Sequence, residues 1–102
     1  MMRYGLKEDT ISVIQNIFSE YPQIKKAILY GSRAKGNYRL NSDIDLALIG
    51  NDLDLSTQFK IEEDLDNLLL PYKIDLSVFH KIENPDLIDH INRRGVPFYE
   101  WK

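Results

Sequence analysis

The sequence predicts an α/β (α+β) domain of two layers, a small mixed sheet packed by helices. Three observations predict it. Amphipathic helical stretches alternate with short runs that are apolar at every second position. Proline, glycine and asparagine punctuate the joins between them. The 102 residues, 43% of them hydrophobic, suit one core and are too few for two, so 1–102 is read as a single domain.

The elements follow in order. Residues 8–21 set Ile11, Ile14, Phe18 and Tyr21 on one helical face, widened by Val13 and Ile17. Lys7 at the N-cap would let Leu6 staple to Ile11, although lysine is a poor cap. Glu8 and Asp9 favour the positive end of the helix dipole, and Pro22 stops the helix. A strand at Ala27–Tyr30 ends at Gly31-Ser32, and "SRAKGNY" forms a helical turn broken near Gly36. In "DIDLALIG" Ile44, Leu46 and Leu48 alternate with Asp43, Asp45 and Ala47, the period of a strand with one apolar face.

Residues 56–70 return to helical spacing through Phe59, Ile61, Leu65, Leu68 and Leu69, and Pro71 ends that helix. "YKIDLSVF" puts Tyr72, Ile74, Leu76 and Val78 on one strand face and Lys73, Asp75, Ser77 and Phe79 on the other. Asn84-Pro85 supplies the cap and first-turn residue of a last helix carrying Leu87, Ile88 and Ile91, with Gly95 as its C′ residue. The tail "VPFYEW" adds a strand that Pro97 confines to a sheet edge.

Composition removes several classes of function. With no cysteine there is no disulfide, thiolate metal site or cysteine nucleophile. Apolar runs are too short for a membrane span, and "MMRYGLKEDT" lacks the apolar stretch of a signal peptide, so a soluble cytoplasmic protein is expected. The net charge of -3 is unevenly distributed: residues 1–42 carry +4, residues 43–90 carry -9 and residues 91–102 carry +2. His80 and His90 lack the spacing of a zinc pair and read as surface or packing residues. There is no GxxxxGK[ST] loop.

The chemistry concentrates in residues 30–48. Asp43 and Asp45, two apart on a strand, direct both carboxylates to one face. Like charges so close repel, and a divalent cation removes the repulsion; hard oxygen ligands suit Mg²⁺, with Mn²⁺ as substitute. Asp75 interrupts its own alternating strand in the same way. If the strands are neighbours, three carboxylates converge, and two metals roughly 3.5–4 Å apart can hold the attacking and leaving oxygens of a phosphoryl-type transfer.

Gly31-Ser32, between a strand and a helical turn, offers close backbone approach, a hydroxyl and free N–H groups to a phosphate. Arg33, Lys35 and Arg39 add positive charge beside it. Singly each feature is ordinary: "DID" a solvated strand face, Gly-Ser a turn, the basic residues surface. Their joint occurrence points to an Mg-nucleotide site. Tyr30, Tyr38 and Tyr72 could stack on a base, though sheet packing accounts equally well for Tyr30 and Tyr72. Glu62-Glu63-Asp64 reads as the wet face of a helix.

"GS" at 31–32, ten residues, then "DID" at 43–45 resembles the G-S-x10-D-x-D signature of the nucleotidyltransferase fold of the DNA polymerase beta superfamily. The chain is most similar to the minimal nucleotidyltransferases, and the resemblance covers nearly its whole length. It implies that Asp43, Asp45 and Asp75 ligate two Mg²⁺ ions, with Asp75 helping to deprotonate the attacking hydroxyl. Gly31 and Ser32 would hold the β and γ phosphates of ATP, and Arg33 matches a basic residue of supporting role. Lys7 departs from the serine or threonine cap of many members.

The resemblance further implies an antitoxin whose partner is a helical ribonuclease toxin of the higher eukaryotes and prokaryotes nucleotide-binding domain class, encoded by an adjacent gene. In the version most like this sequence, AMP passes from ATP to a tyrosine hydroxyl of the toxin. Two alternatives are an antitoxin that acts by steric binding alone, and a nucleotidyltransferase acting on a small hydroxyl compound or an RNA end. No extra helical domain for a small acceptor is visible, and the acidic residues 43–90 disfavour direct nucleic-acid binding.

Overall fold

A computed structural model describes residues 2–101. It opens with an element outside the expected order, a hairpin of β1 (Met2–Arg3) and β2 (Leu6–Lys7). The turn residues Tyr4 and Gly5 have φ of 58° and 73°. Positive φ at both central positions belongs to the type I′ turn that two-residue hairpins favour. Helix α1 (Glu8–Ser19) follows with Lys7 as its N-cap, and the lysine side chain makes no capping bond. Leu6 and Ile11 are both buried in one core cluster, so the apolar staple stands in for a polar cap.

Strand β3 (Ile24–Tyr30), helix α2 (Ser32–Lys35), strand β4 (Ile44–Gly50), helix α3 (Leu55–Asp66), strand β5 (Ile74–Val78), a 3₁₀ turn at Phe79–Lys81, helix α4 (Pro85–Arg94) and strand β6 (Val96–Glu100) complete the chain. Asp54 caps α3 by accepting from the Thr57 N–H at 2.8 Å. Helix α3 is shorter than the periodicity of residues 56–70 predicts. The chain leaves the helix at Asn67, and Leu69 takes a φ of 54° with its side chain exposed. Of the two leucines there that fit helical spacing, Leu68 still packs on the main core and Leu69 turns to solvent. Asn84 caps α4 as expected, accepting from Asp86 and Leu87, with Pro85 in the first turn. Gly95 differs from its expected role. It is the C-cap in extended backbone, not a left-handed C′ residue, and a Cβ there would strike the Ile91 carbonyl and Ile28.

The sheet order is β5-β4-β3-β6. Strands β4 and β5 are parallel, joined through α3; β3 is antiparallel to β4 and to β6, which lies at an edge as Pro97 requires. The expected mixed sheet is therefore present. Ala27, Leu29, Ile44, Leu46, Leu48, Leu76, Val78 and Phe98 form the main core with Ile11, Ile14 and Phe18 of α1 and Ile61 and Leu65 of α3. The Tyr21 hydroxyl bonds to Asp64, linking the end of α1 to α3, and burial together with that carboxylate pushes the hydroxyl up to about 12. On the other face a smaller cluster of Tyr30, Ala47 and Ile91 seats α4. Among the described residues no helix is long and apolar enough to cross a membrane.

Candidate active site

Alternation along β4 decides where its acid points. Ile44, Leu46 and Leu48 are fully buried in the main core, so Asp45 and Ala47 face the α4 side. Asp43 stands one residue before the strand begins and is exposed. The parallel pairing of β4 with β5 places Asp45 opposite Asp75, and the Ile44 N–H, donating to the Lys73 carbonyl at 2.9 Å, ties the start of the pair. On its other side Asp45 is the register partner of Tyr30. The neighbouring strands on which a third carboxylate depended are thus present.

These acids feel one another. Burial first, then the Asp75 and Asp43 charges, push the half-buried Asp45 carboxyl above its ordinary value, against an opposing influence from Arg33. Among the described residues, however, no three acidic or histidine side chains are drawn together closely enough to form a metal cage. Convergence is met in backbone register and not in side-chain position. The donor chemistry still fits a hard divalent cation: carboxylate oxygens, on acids whose mutual repulsion a cation would relieve.

Gly31 joins the two halves of the site. It follows β3 with φ 77° and ψ -155°, and a Cβ there would run into the Asp45 carboxylate. Only glycine brings the backbone this close to that acid. Its carbonyl accepts from the Lys35 N–H and the Ser32 carbonyl from Gly36, whose φ of 90° closes the short α2. Ser32, part-exposed, stands at the start of α2. The Gly31 N–H itself donates to His90 Nε2 at 3.3 Å.

Arg33 requires a correction. Expected beside the phosphates, it is only 1% exposed. Its guanidinium donates to the carbonyls of Tyr4 (2.9 Å), Leu40 (3.3 Å) and Ser42 (2.9 and 3.2 Å). It also lies against the rings of Tyr38 at 5.4 Å and Tyr72 at 4.9 Å. Arg33 therefore fastens the Gly36–Ser42 loop, which leads into Asp43, to the N-terminal hairpin. No donor fork is left for a phosphate. The same contacts engage Tyr38 and Tyr72, and Tyr30 is buried beneath α4, edge-on to His90. Lys35 and Arg39 are exposed and form no ion pair among the described residues.

The polymerase beta nucleotidyltransferase family profile matches residues 12–102. The chain belongs to this family. No curated protein matches it in sequence. Among solved structures, it is similar to a chain of a toxin–antitoxin complex with AMP-PNP, at 23% identity over 95% of this chain and 76% of that one, with a TM-score of 0.70. A chain of the MntA–HepT toxin–antitoxin complex gives 20% identity, 92% and 73% coverage and a TM-score of 0.68. A chain of the complex of tri-AMPylated Shewanella oneidensis HEPN toxin with MNT antitoxin gives 19%, 91% and 71%, and 0.67. At these identities the likeness establishes the nucleotidyltransferase fold.

Sequence reasoning missed His90. It lies 59 residues from Gly31 along the chain and carries no motif. It also missed the Tyr4 carbonyl as an Arg33 partner, because the hairpin that presents it is only two residues per strand.

Proposed function

We propose that this chain is a protein adenylyltransferase antitoxin, transferring AMP from ATP to a tyrosine hydroxyl of a cognate helical ribonuclease toxin. The observation that carries the reading is the in-register Asp45–Asp75 pair with the Gly31 backbone set against Asp45. Phosphate-binding backbone and cation-binding acids adjoin, as a nucleotide transfer requires. The family membership supports the nucleotidyl transfer, and the similar toxin–antitoxin complexes, one with AMP-PNP and one with a tri-AMPylated toxin, support the acceptor.

In this reading Ser32 holds the β and γ phosphates through its hydroxyl and N–H, and Lys35 and Arg39 approach them from solvent. Asp43, Asp45 and Asp75 would hold Mg²⁺, which when bound supplies electrostatic stabilisation of the charge that develops on the phosphates. Asp75, exposed beside Asp45, accepts the proton from the tyrosine hydroxyl as its oxygen attacks the α-phosphorus in line. The bond from that phosphorus to the bridging oxygen breaks and pyrophosphate leaves. Positioning supplies most of the rate. The added phosphodiester places negative charge and bulk on the toxin.

The test is incubation with the partner toxin, Mg²⁺ and ATP labelled at the α-phosphate. Label should appear on the toxin with the wild-type chain and vanish with Asp43→Asn/Asp45→Asn. An unlabelled toxin, with ATP and metal both bound, would sink the proposal. Full protection of cells by the double variant would instead mark a purely steric antitoxin.

A further inference from the structure

The contact between α4 and the Gly31 turn has no part in the chemistry described so far. Three features make it a built contact. Ile91 of α4 is buried against Tyr30 and Ala47, with Leu87 packed beside them, so the helix is anchored on the sheet directly above this turn. Asn84 and Pro85 secure the start of that helix. The His90 ring then stands edge-on to Tyr30, at 6.2 Å and 78°, and accepts the N–H of the very next residue, Gly31. Accepting at Nε2 requires the neutral ring with its proton on Nδ1.

We propose that His90 is a positioning residue of the nucleotide site. By taking the Gly31 N–H, it fixes the turn in its positive-φ conformation and directs the Ser32 N–H and hydroxyl, rather than the Gly31 amide, to the phosphates. Without it the glycine, free of side-chain restraint, samples other backbone states, and the phosphate-binding groups lose their preset geometry. This rests on the reading of Gly31-Ser32 as the ATP phosphate site.

The decisive variants are His90→Gln, which restores an acceptor, and His90→Leu, which keeps apolar contact with Tyr30 and offers none. His90 is half-buried and the anchoring residues of α4 are untouched, so both variants should fold; thermal melting checks this. The probes are calorimetric titration with a non-hydrolysable ATP analogue in Mg²⁺, steady-state transfer, and exchange of the Gly31 amide followed by NMR. His90→Leu should weaken analogue binding about tenfold, the scale of one charge-independent hydrogen bond. It should raise KM for ATP in proportion, with kcat little changed, and speed Gly31 amide exchange. His90→Gln should recover most of both.

Analogue binding unchanged in His90→Leu, or a Gln variant as weak as Leu, overturns the role of His90 while leaving the nucleotide site standing. A wild-type chain that binds no analogue overturns the nucleotide reading itself. Gly31 amide exchange unaltered in His90→Leu removes the contact from the solution structure and the inference with it.

Discussion

Replacing Arg33 separates a structural arginine from a phosphate-binding one. Three backbone carbonyls, of Tyr4, Leu40 and Ser42, depend on its guanidinium, which is 1% exposed and flanked by two tyrosine rings. The part-buried Tyr4 and Ser42 carbonyls each cost about 1–3 kcal/mol if left without a partner, while the carbonyl of the exposed Leu40 turns to water. Each cation–π contact contributes ~0.5–2 kcal/mol. Against these stands the cost of burying the charge itself, which removal relieves, at several kcal/mol. The balance for Arg33→Ala is a loss of roughly 4 kcal/mol, within the range for breaking buried charged networks.

For a domain of this size each kcal/mol lowers the melting temperature by about 4–8 °C, so Arg33→Ala should melt some ~15–30 °C below wild type. Arg33→Lys keeps the charge but presents no planar fork, and should recover at most about half of that loss. Thermal unfolding followed by circular dichroism, with urea titration as a second measure, reads both. If Arg33→Lys melts with wild type while ATP binding falls tenfold or more, the assignment is wrong and the arginine serves the phosphates.

Other outcomes follow from the same geometry. Asp45→Asn should abolish transfer and stabilise the metal-free chain. The folded state holds the Asp45 carboxyl above its ordinary value, so its contribution to stability falls as pH rises from the unfolded aspartate range through the folded value, and melting of the Asn variant against pH should lack that fall. Gly31→Ala should lose transfer and stability together, because the new methyl meets Asp45. Gly36→Ala, with φ 90° but open space around it, should cost only the ~1–2 kcal/mol of left-handed strain. Asp54 runs the opposite way to Asp45: the Thr57 N–H holds its carboxyl below the ordinary value, so its cap stabilises α3 above the unfolded aspartate range and is lost as pH falls through the folded value. Asp54→Asn should flatten that acid limb of the melting profile. Asn84→Ala, removing the cap of α4, should cost about 1 kcal/mol in urea titration.

Much of this was legible in the chain because period and punctuation agree. The alternation of Ile44, Leu46 and Leu48 predicts a strand and, by itself, the face that Asp45 takes. Asn84-Pro85 predicts the start of α4, and Pro97 the edge position of β6. What was hidden depends on contacts between distant residues. Periodicity extends α3 through Leu68 and Leu69, but the helix stops at Asp66: Leu68 reaches the core from the turn that follows, and Leu69 faces solvent. Arg33 is indistinguishable in sequence from Lys35, two residues on. Only the fold shows that one is enclosed by three carbonyls and two rings and the other meets solvent. Strand adjacency follows the same rule. Nothing local to Asp45 or Asp75 reveals that they are register partners; the parallel pairing of β4 and β5 does. The His90 contact belongs to this class too.

The most direct measurement of the site is calorimetric titration of the chain with a non-hydrolysable ATP analogue, with and without Mg²⁺, for wild type and Asp45→Asn. If Asp43, Asp45 and Asp75 form one site with the Gly31-Ser32 turn, the wild type binds the analogue only with Mg²⁺, and Asp45→Asn binds it at least tenfold more weakly. Equal binding by both proteins, indifferent to Mg²⁺, would separate the carboxylates from the nucleotide and leave this fold without its proposed chemistry.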